Sequence, residues 1–145
     1  RQMCIRADNR PFAGIVTFVG GRKYIIPLTS QTTEERKNAG KNKRSSLITT
    51  FVTETSGKEI SNLLYNNMIP LMTDYYSIGI DSETDTYESN EIRYLRKNWE
   101  TIKKKVANVF EQRYDTESHN FNFLKRTCCD FKKLESALDQ YEIQQ

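Results

Sequence analysis

The sequence contains little histidine and little cysteine. Its 145 residues include one histidine, His119, and three cysteines, Cys4, Cys128 and Cys129. One histidine and an adjacent cysteine pair, without Cys-x-x-Cys spacing, do not assemble a convincing zinc site, so we expect no metal ligands and no cofactor. Neighbouring cysteines rarely bridge each other, so the pattern disfavours a secreted disulfide scaffold and favours a reducing cytoplasm.

Long apolar runs and the common catalytic motifs are also missing. No run approaches the roughly 20 apolar residues of a membrane span, and we expect neither a signal peptide nor a membrane partner. The sequence has no Walker loop, no G-x-G-x-x-G and no G-x-S-x-G. His119 lies in the polar segment "TESHNFNF" and is not a candidate catalytic residue. No helix-turn-helix or basic arm is evident, so we expect no DNA partner.

The net charge of +3 is small, but the charges are separated along the chain. Residues 36–44 hold five cations and no acid, and residues 93–105 hold six cations against Glu100 alone. The acids gather in residues 81–91 and toward the C-terminus. Such a separation of signs predicts a basic face for a polyanion, although a solvated helix face is the alternative for the second cluster.

The N-terminal half is predicted to be β-structure. The stretch "RPFAGIVTFVGGRKYIIPL" predicts a hairpin with strands at 12–19 and 23–28, because Gly20-Gly21 supplies the positive φ angles of a two-residue turn. Residues 31–44 lack apolar periodicity and predict an exposed basic loop. Residues 45–55 predict a third strand, and residues 66–72 a short fourth strand that contains a proline.

The C-terminal half is predicted to be helical. Between Ile92 and Val109, apolar residues recur at spacings of three and four, which predicts one amphipathic helix capped by Ser89 or Asn90. A final helix is expected to begin after a cap at Asp130 and to bury Phe131, Leu134 and Leu138. Strands followed by helices predict an α+β fold in which helices back an antiparallel sheet. By length, residues 1–145 form a single domain.

Two small hydroxyl residues, Thr29 and Ser30, end the second predicted strand, upstream of the cations of residues 36–44. RNA carries its own nucleophile, the 2'-hydroxyl, so an enzyme that cuts RNA needs only to align the attack, stabilise charge on the phosphoryl oxygens and move protons. Thr29, Ser30 and a cation such as Arg10 would suffice. The plain alternative is that both hydroxyls only bond to nearby backbone as turn formers.

A second function is compatible with the same basic face. The protein could be a non-catalytic RNA-binding or ribosome-associated module, which would bind RNA without cutting it. Tyr24 could stack on a base in either case, or it could belong to the core.

The order of segments "FAGIVTFVGGRKYIIPLTS", "KRSSL", "NMIPL", "YLRKNW" and "CDFKKLE" resembles the ToxN/AbiQ family over residues 10–141. These proteins are the ribonuclease toxins of bacterial type III toxin–antitoxin systems, which act in abortive infection and phage defence. The resemblance implies a compact, barrel-like antiparallel sheet, akin to the MazF/Kid fold, surrounded by helices. It also implies a metal-independent, sequence-specific endoribonuclease that acts on cellular or phage RNA and leaves a 2',3'-cyclic phosphate.

The family resemblance further implies an RNA partner. The antitoxin is a small repeated RNA folded as a pseudoknot, which the toxin processes and then holds in a closed complex of two or three proteins with as many RNAs. The resemblance places Thr29 and Ser30 of "LTS" in the active site, and Arg10 at the cation before the first hairpin strand. Family members also begin with a tyrosine-containing strand that would precede Arg1.

The remaining candidate residues would contact RNA. Thr32 stands where relatives can carry a lysine, and Arg36 or Lys37 could replace that charge, while Ser45 and Ser46 match a double serine that begins the next strand. The full set of RNA-binding candidates is Tyr24, Thr32, Arg36, Lys37, Lys41, Lys43, Arg44, Ser45, Ser46, Arg93, Arg96, Lys97, Lys103 and Lys104.

Overall fold

One antiparallel sheet organises the computed structural model, which describes residues 14–72 and 87–144. In this part of the chain its five strands follow the order β1-β2-β4-β3, and β5 also pairs with β2, so that the sheet curls into a half-barrel. The strands are β1 (Gly14–Val19), β2 (Arg22–Thr29), β3 (Thr49–Thr53), β4 (Glu59–Leu64) and β5 (Ile69–Pro70).

Helices complete the domain and confirm the predicted α+β class. They are α1 (Thr33–Asn38), α2 (Tyr87–Lys97), α3 (Trp99–Gln112), α4 (Phe121–Thr127) and α5 (Phe131–Ile143), with a 3-10 turn at Tyr65–Asn67. No helix among the described residues is long and apolar enough to cross a membrane.

The predicted hairpin is confirmed where it is described. Gly20 and Gly21 have φ angles of 61° and 84°, so both adopt the left-handed conformation that a tight hairpin turn requires. Val19 and Arg22 face each other directly across this turn. Phe12 and Ala13, which belonged to the predicted first strand, lie outside the described residues.

The predicted basic loop at residues 31–44 contains a helix, α1. The Thr32 hydroxyl caps it by accepting a hydrogen bond from the Glu35 amide at 3.3 Å. Glu34 and Glu35 lie in its first turn, and Arg36 and Lys37 in its last, which suits the helix dipole. None of its residues is buried, so the sequence carries no apolar stripe that would have indicated the helix.

Two of the predicted strands are shorter than expected, and one strand was missed. Residues 45–48 form coil and a turn before β3 begins at Thr49, so Ser45 and Ser46 do not begin that strand. Only Ile69–Pro70 of the predicted fourth strand is extended and paired. The missed strand, β4, lies in the middle of the sheet between β2 and β3.

The predicted amphipathic helix is two helices that share one buried stripe. Its break is at Asn98, whose backbone is not helical (φ −106°, ψ 15°) and whose side-chain amide donates to the Tyr94 carbonyl at 2.9 Å. Ser89 and Asn90 lie inside α2, so neither caps it. The stripe is nonetheless confirmed, because its members are buried apart from the half-buried Trp99: Ile92, Leu95, Ile102, Val106 and Val109.

The last helix, α5, begins as predicted. The Asp130 carboxylate accepts hydrogen bonds from the Lys133 amide at 3.3 Å and from the Tyr114 hydroxyl at 2.8 Å. Phe131 is fully buried, whereas Leu134 and Leu138 are half-buried. The Phe131 ring stacks on Phe110 with centroids 5.6 Å apart, which attaches the helix to the core.

We expect Asp130→Ala to lower the free energy of unfolding by about 1 kcal/mol, because the first turn of α5 loses its cap. Asp130→Asn is the matched control, since asparagine caps helices about as well as aspartate. Urea unfolding followed by circular dichroism measures both variants. Equal stability of Asp130→Ala and the wild type would show that the cap contributes nothing.

Candidate functional site

Thr29 and Ser30 lie at the end of β2, where that strand pairs with β4. Thr29 is half-buried and faces Asn62 across the two strands, and Ser30 is exposed. The Thr29 hydroxyl accepts a hydrogen bond from the Gln31 amide at 3.2 Å, as the turn-former interpretation expects. The Ser30 hydroxyl has no hydrogen-bond partner within the described ranges, so it is free to bind a ligand.

The guanidinium of Arg44 is bound by the residue that follows Ser30 and by the strand partner of Thr29. Its Nη1 donates to the Gln31 carbonyl and to Asn62 Oδ1, each at 2.8 Å, and its Nη2 donates to Gln31 Oε1 at 3.0 Å. Burial and the neighbouring charge of Arg36 lower the pKa of Arg44, while Glu59 opposes them. A guanidinium titrates so high that Arg44 remains a cation at neutral pH.

Glu59 fixes the other end of the Asn62 side chain. Its Oε2 accepts from Asn62 Nδ2 at 2.8 Å and from the Thr33 amide at 2.6 Å, and its Oε1 accepts from the Thr33 hydroxyl at 2.7 Å. Burial raises the pKa of Glu59, but these hydrogen bonds and the charge of Lys43 outweigh burial and leave the pKa below its ordinary value. Glu59 is therefore an anion at neutral pH.

Paired residues place a row of side chains on one face of the sheet. Thr29 pairs with Asn62, and Asn62 with Phe51 on β3, so all three point to the same side. Arg44 donates a hydrogen bond to Asn62, and the Lys43 Nζ lies 4.8 Å from the centre of the Phe51 ring. Two cations are thus held over the row that begins at Thr29.

A groove of about 520 Å³ extends from this face. Three of the predicted RNA-binding cations, Arg36, Lys43 and Arg44, line one part of it together with Ser45. Thr29 and Ser30 do not line the groove themselves, but Arg44 links it to Gln31, the residue after Ser30. The other lining residues are Ile48, Leu64, Asn66, Asn67, Phe123 and Thr127.

The remaining predicted cations do not form one surface. Lys37 and Lys41 are exposed and do not line the groove. Arg93 and Lys97 line a separate cleft of about 380 Å³ between α2 and the turn that joins β3 to β4. Lys103 forms an exposed ion pair with Glu100 at 3.1 Å. The two other helix cations, Arg96 and Lys104, are exposed and line neither cavity.

Three other predicted site residues are Tyr24, Thr32 and Arg10. The suggestion that Tyr24 stacks on a base is wrong, because its ring is fully buried and its hydroxyl donates to Glu135. Burial and that hydrogen bond raise the pKa of Tyr24. The Thr32 hydroxyl is occupied as the cap of α1. Arg10 lies outside the described residues.

The described residues offer no set of metal ligands. Within residues 14–72 and 87–144, no three or more histidine, cysteine, aspartate or glutamate side chains cluster as a metal site would require. Cys128 is buried and Cys129 half-buried, and neither forms a disulfide.

The sequence patterns did not indicate Gln31 and Asn62, which bind Arg44, or Glu59, which binds Asn62. Asn62 is fully buried, yet it stands next to Ser61 in the mixed polar and apolar segment "EISNLLY", with no turn or motif beside it. The signal that the sequence offers is this polar pair between apolar residues, because a buried amide needs hydrogen-bond partners.

The fold and the groove together define a small α+β domain with a face suited to a polyanion. Two solved structures share the fold. One is a protein of a bacterial type III toxin–antitoxin system, from work on selective toxin inhibition by a non-coding RNA pseudoknot: it is 28% identical, with a TM-score of 0.73, over 94% of this chain and 83% of that one. The other is AbiQ, a lactococcal anti-phage endoribonuclease of a type III system, at 23% identity and a TM-score of 0.68, over 90% of this chain and 81% of that one.

The chain belongs to the ToxN toxin family of type III toxin–antitoxin systems, whose family model matches residues 5–139. A curated relative agrees with this assignment. Over 143 residues, which cover 92% of this chain and 70% of the relative, the sequence is 31% identical to Endoribonuclease ToxN of Bacillus thuringiensis subsp. kurstaki. The family predicted from the order of sequence segments is confirmed.

Proposed function

We propose that this toxin is a metal-independent endoribonuclease that cuts RNA through the substrate's own 2'-hydroxyl. The observation that carries the proposal is that Thr29 and the exposed Ser30 immediately precede Gln31, which binds the Arg44 guanidinium at the edge of a cation-lined groove. Its relative of 31% identity is named an endoribonuclease, which supports the same activity here.

The proposed reaction is a transesterification at phosphorus. The 2'-oxygen loses its proton and attacks the adjacent phosphorus, the bond from phosphorus to the 5'-oxygen breaks, and the 5'-oxygen takes up a proton. The products are a 2',3'-cyclic phosphate and a 5'-hydroxyl. Ser30 and Thr29 position the phosphate or relay a proton, and a cation stabilises the charge that grows on the phosphoryl oxygens.

We propose that the antitoxin is a repeated RNA pseudoknot that the toxin processes and that then inhibits it in a closed protein–RNA complex. A structural relative comes from work on toxin inhibition by a non-coding RNA pseudoknot, which supports this partner. Arg36, Lys43 and Arg44 would bind the RNA backbone in the groove, and Arg93 and Lys97 would bind it in the second cleft. Substrates would be cellular or phage RNA in the cytoplasm.

We expect the purified protein to cut RNA in excess EDTA, because the nucleophile comes from the substrate. Once the cut site is mapped, a substrate with a single 2'-deoxy sugar on the 5' side of the cut should resist cleavage completely. The matched control carries the 2'-deoxy sugar one nucleotide further along and should be cut normally. Gel analysis of end-labelled RNA measures all three reactions.

Two results would contradict the proposal in different ways. RNA that is bound but left intact would favour a non-catalytic RNA-binding module. Cleavage that stops in EDTA, or that continues on the resistant substrate, would instead show an endoribonuclease with another mechanism.

A further inference from the structure

Arg44 is more rigid than an ordinary surface arginine. Three of its five N–H donors are engaged, two by Gln31 and one by the fully buried Asn62, at 2.8 to 3.0 Å. These bonds fix the plane of the guanidinium and leave two N–H groups for a ligand. Arg44 also lines the groove, so a ligand in the groove can reach it.

Glu59 determines which end of the Asn62 amide faces Arg44. The carboxylate accepts from Asn62 Nδ2 at 2.8 Å, which leaves Oδ1 to accept from Arg44. A rotated amide would point N–H groups at the guanidinium and lose both bonds. Glu59 is in turn held by two hydrogen bonds from Thr33 at the start of α1.

A single side chain, Asn62, connects the Arg44 guanidinium to the strand position opposite Thr29. Thr29 and Asn62 are direct partners across β2 and β4, and such partners have Cβ atoms about 5 Å apart. Gln31, which accepts two of the Arg44 bonds, also donates its amide to the Thr29 hydroxyl. A phosphate bound at the Thr29 hydroxyl is therefore within reach of Arg44.

We propose that Arg44 is the catalytic cation of the reaction, and that Glu59 is a positioning residue that acts on it through Asn62. This inference rests on the proposed ribonuclease function. The two remaining N–H groups of Arg44 bind the non-bridging oxygens of the scissile phosphate, whose negative charge increases as the 2'-oxygen attacks. A fixed, planar pair of donors matches these two oxygens better than a mobile ammonium does.

The test compares Arg44→Lys, Glu59→Gln and their double variant with the wild type. The readouts are the cleavage rate at saturating protein and the Kd for a 2'-deoxy RNA that cannot be cut. Arg44→Lys keeps the charge, so we expect the Kd to change less than about threefold, while the rate falls by about 100-fold. Glu59→Gln should lower the rate by at least about tenfold with an unchanged Kd, because the guanidinium shifts.

The double variant separates positioning from a general structural effect. If Glu59 acts through Arg44, adding Glu59→Gln to Arg44→Lys should lower the rate no further. Thermal unfolding midpoints show whether each variant is folded. Lys23→Ala is the charge control, because Lys23 is exposed at the opposite end of β2, and we expect wild-type cleavage.

The outcomes distinguish this inference from the function on which it rests. Cleavage by Arg44→Lys at the wild-type rate would overturn the catalytic assignment, with the ribonuclease function intact. Equal, independent losses from the two substitutions would overturn the positioning role of Glu59. A folded wild-type protein that leaves RNA intact would overturn both the function and the inference.

Discussion

We expect Ser30→Ala to lower the rate of RNA cleavage by at least about 100-fold, while the affinity for RNA stays within a few fold of wild type. The exposed Ser30 hydroxyl has no partner among the described residues, so the substitution removes no hydrogen bond within this part of the fold, and under the proposed function it removes a contact to the RNA. Losing one hydrogen-bond donor to a transition state typically costs a factor of this size. Single-turnover cleavage and binding to a 2'-deoxy RNA measure the two effects.

Two further substitutions sharpen this prediction. Thr29→Val keeps the shape of the half-buried side chain and removes its hydroxyl, together with the hydrogen bond that this hydroxyl accepts from the Gln31 amide, so we expect a loss of rate here as well. Ser136→Ala is the control for serine removal, because Ser136 is exposed on α5 and belongs to neither cavity. Wild-type cleavage by Ser30→Ala would remove Ser30 from the active site.

We expect Phe131→Ala to lower the free energy of unfolding by about 3 to 5 kcal/mol. The Phe131 ring is fully buried, stacked on Phe110 and edge-on to Tyr24 at a centroid distance of 6.1 Å. Truncation leaves a cavity between α5, the sheet and α3. For a domain of 145 residues, we expect the unfolding midpoint to fall by roughly 10 °C or more.

The matched control lies on the same helix. Ile143 is 83% exposed near the end of α5, so Ile143→Ala should change the unfolding free energy by less than about 0.5 kcal/mol. Calorimetry measures both variants. A loss below about 1 kcal/mol for Phe131→Ala would show that the core closes over the missing ring.

Local patterns predicted those parts of the fold whose signals lie within a few residues. The Gly20-Gly21 hairpin and the Asp130 cap depend on neighbouring residues alone, and both are confirmed. The strand β4 was missed because Ser61 and Asn62 interrupt its apolar pattern. Both are buried, and each has a partner that is distant in sequence, Ser61 at Glu91 and Asn62 at Arg44 in addition to the nearby Glu59. No local pattern reveals such pairings.

The sequence indicates the candidate site only in part, because some of its residues depend on contacts that form in the folded protein. The end of a predicted strand and the family resemblance both indicate Thr29 and Ser30, which are the proposed reactive hydroxyls. Alternation could not decide whether Tyr24 faced the core or a ligand, and its ring is in the core. Glu59 was not considered, because its importance depends on a bond to Asn62 that only the folded sheet shows.

The alternation of side chains in β2 and β4 excludes a register shifted by one residue in their pairing. Leu28 opposes Leu63 toward the core, and Thr29 opposes Asn62 on the other face. A shift of one residue would turn the Asn62 amide inward and the Leu63 side chain outward, because strand side chains alternate. A molecule paired in the wrong register would therefore lose the burial of Leu63 and the hydrogen bond between Asn62 and Arg44 together.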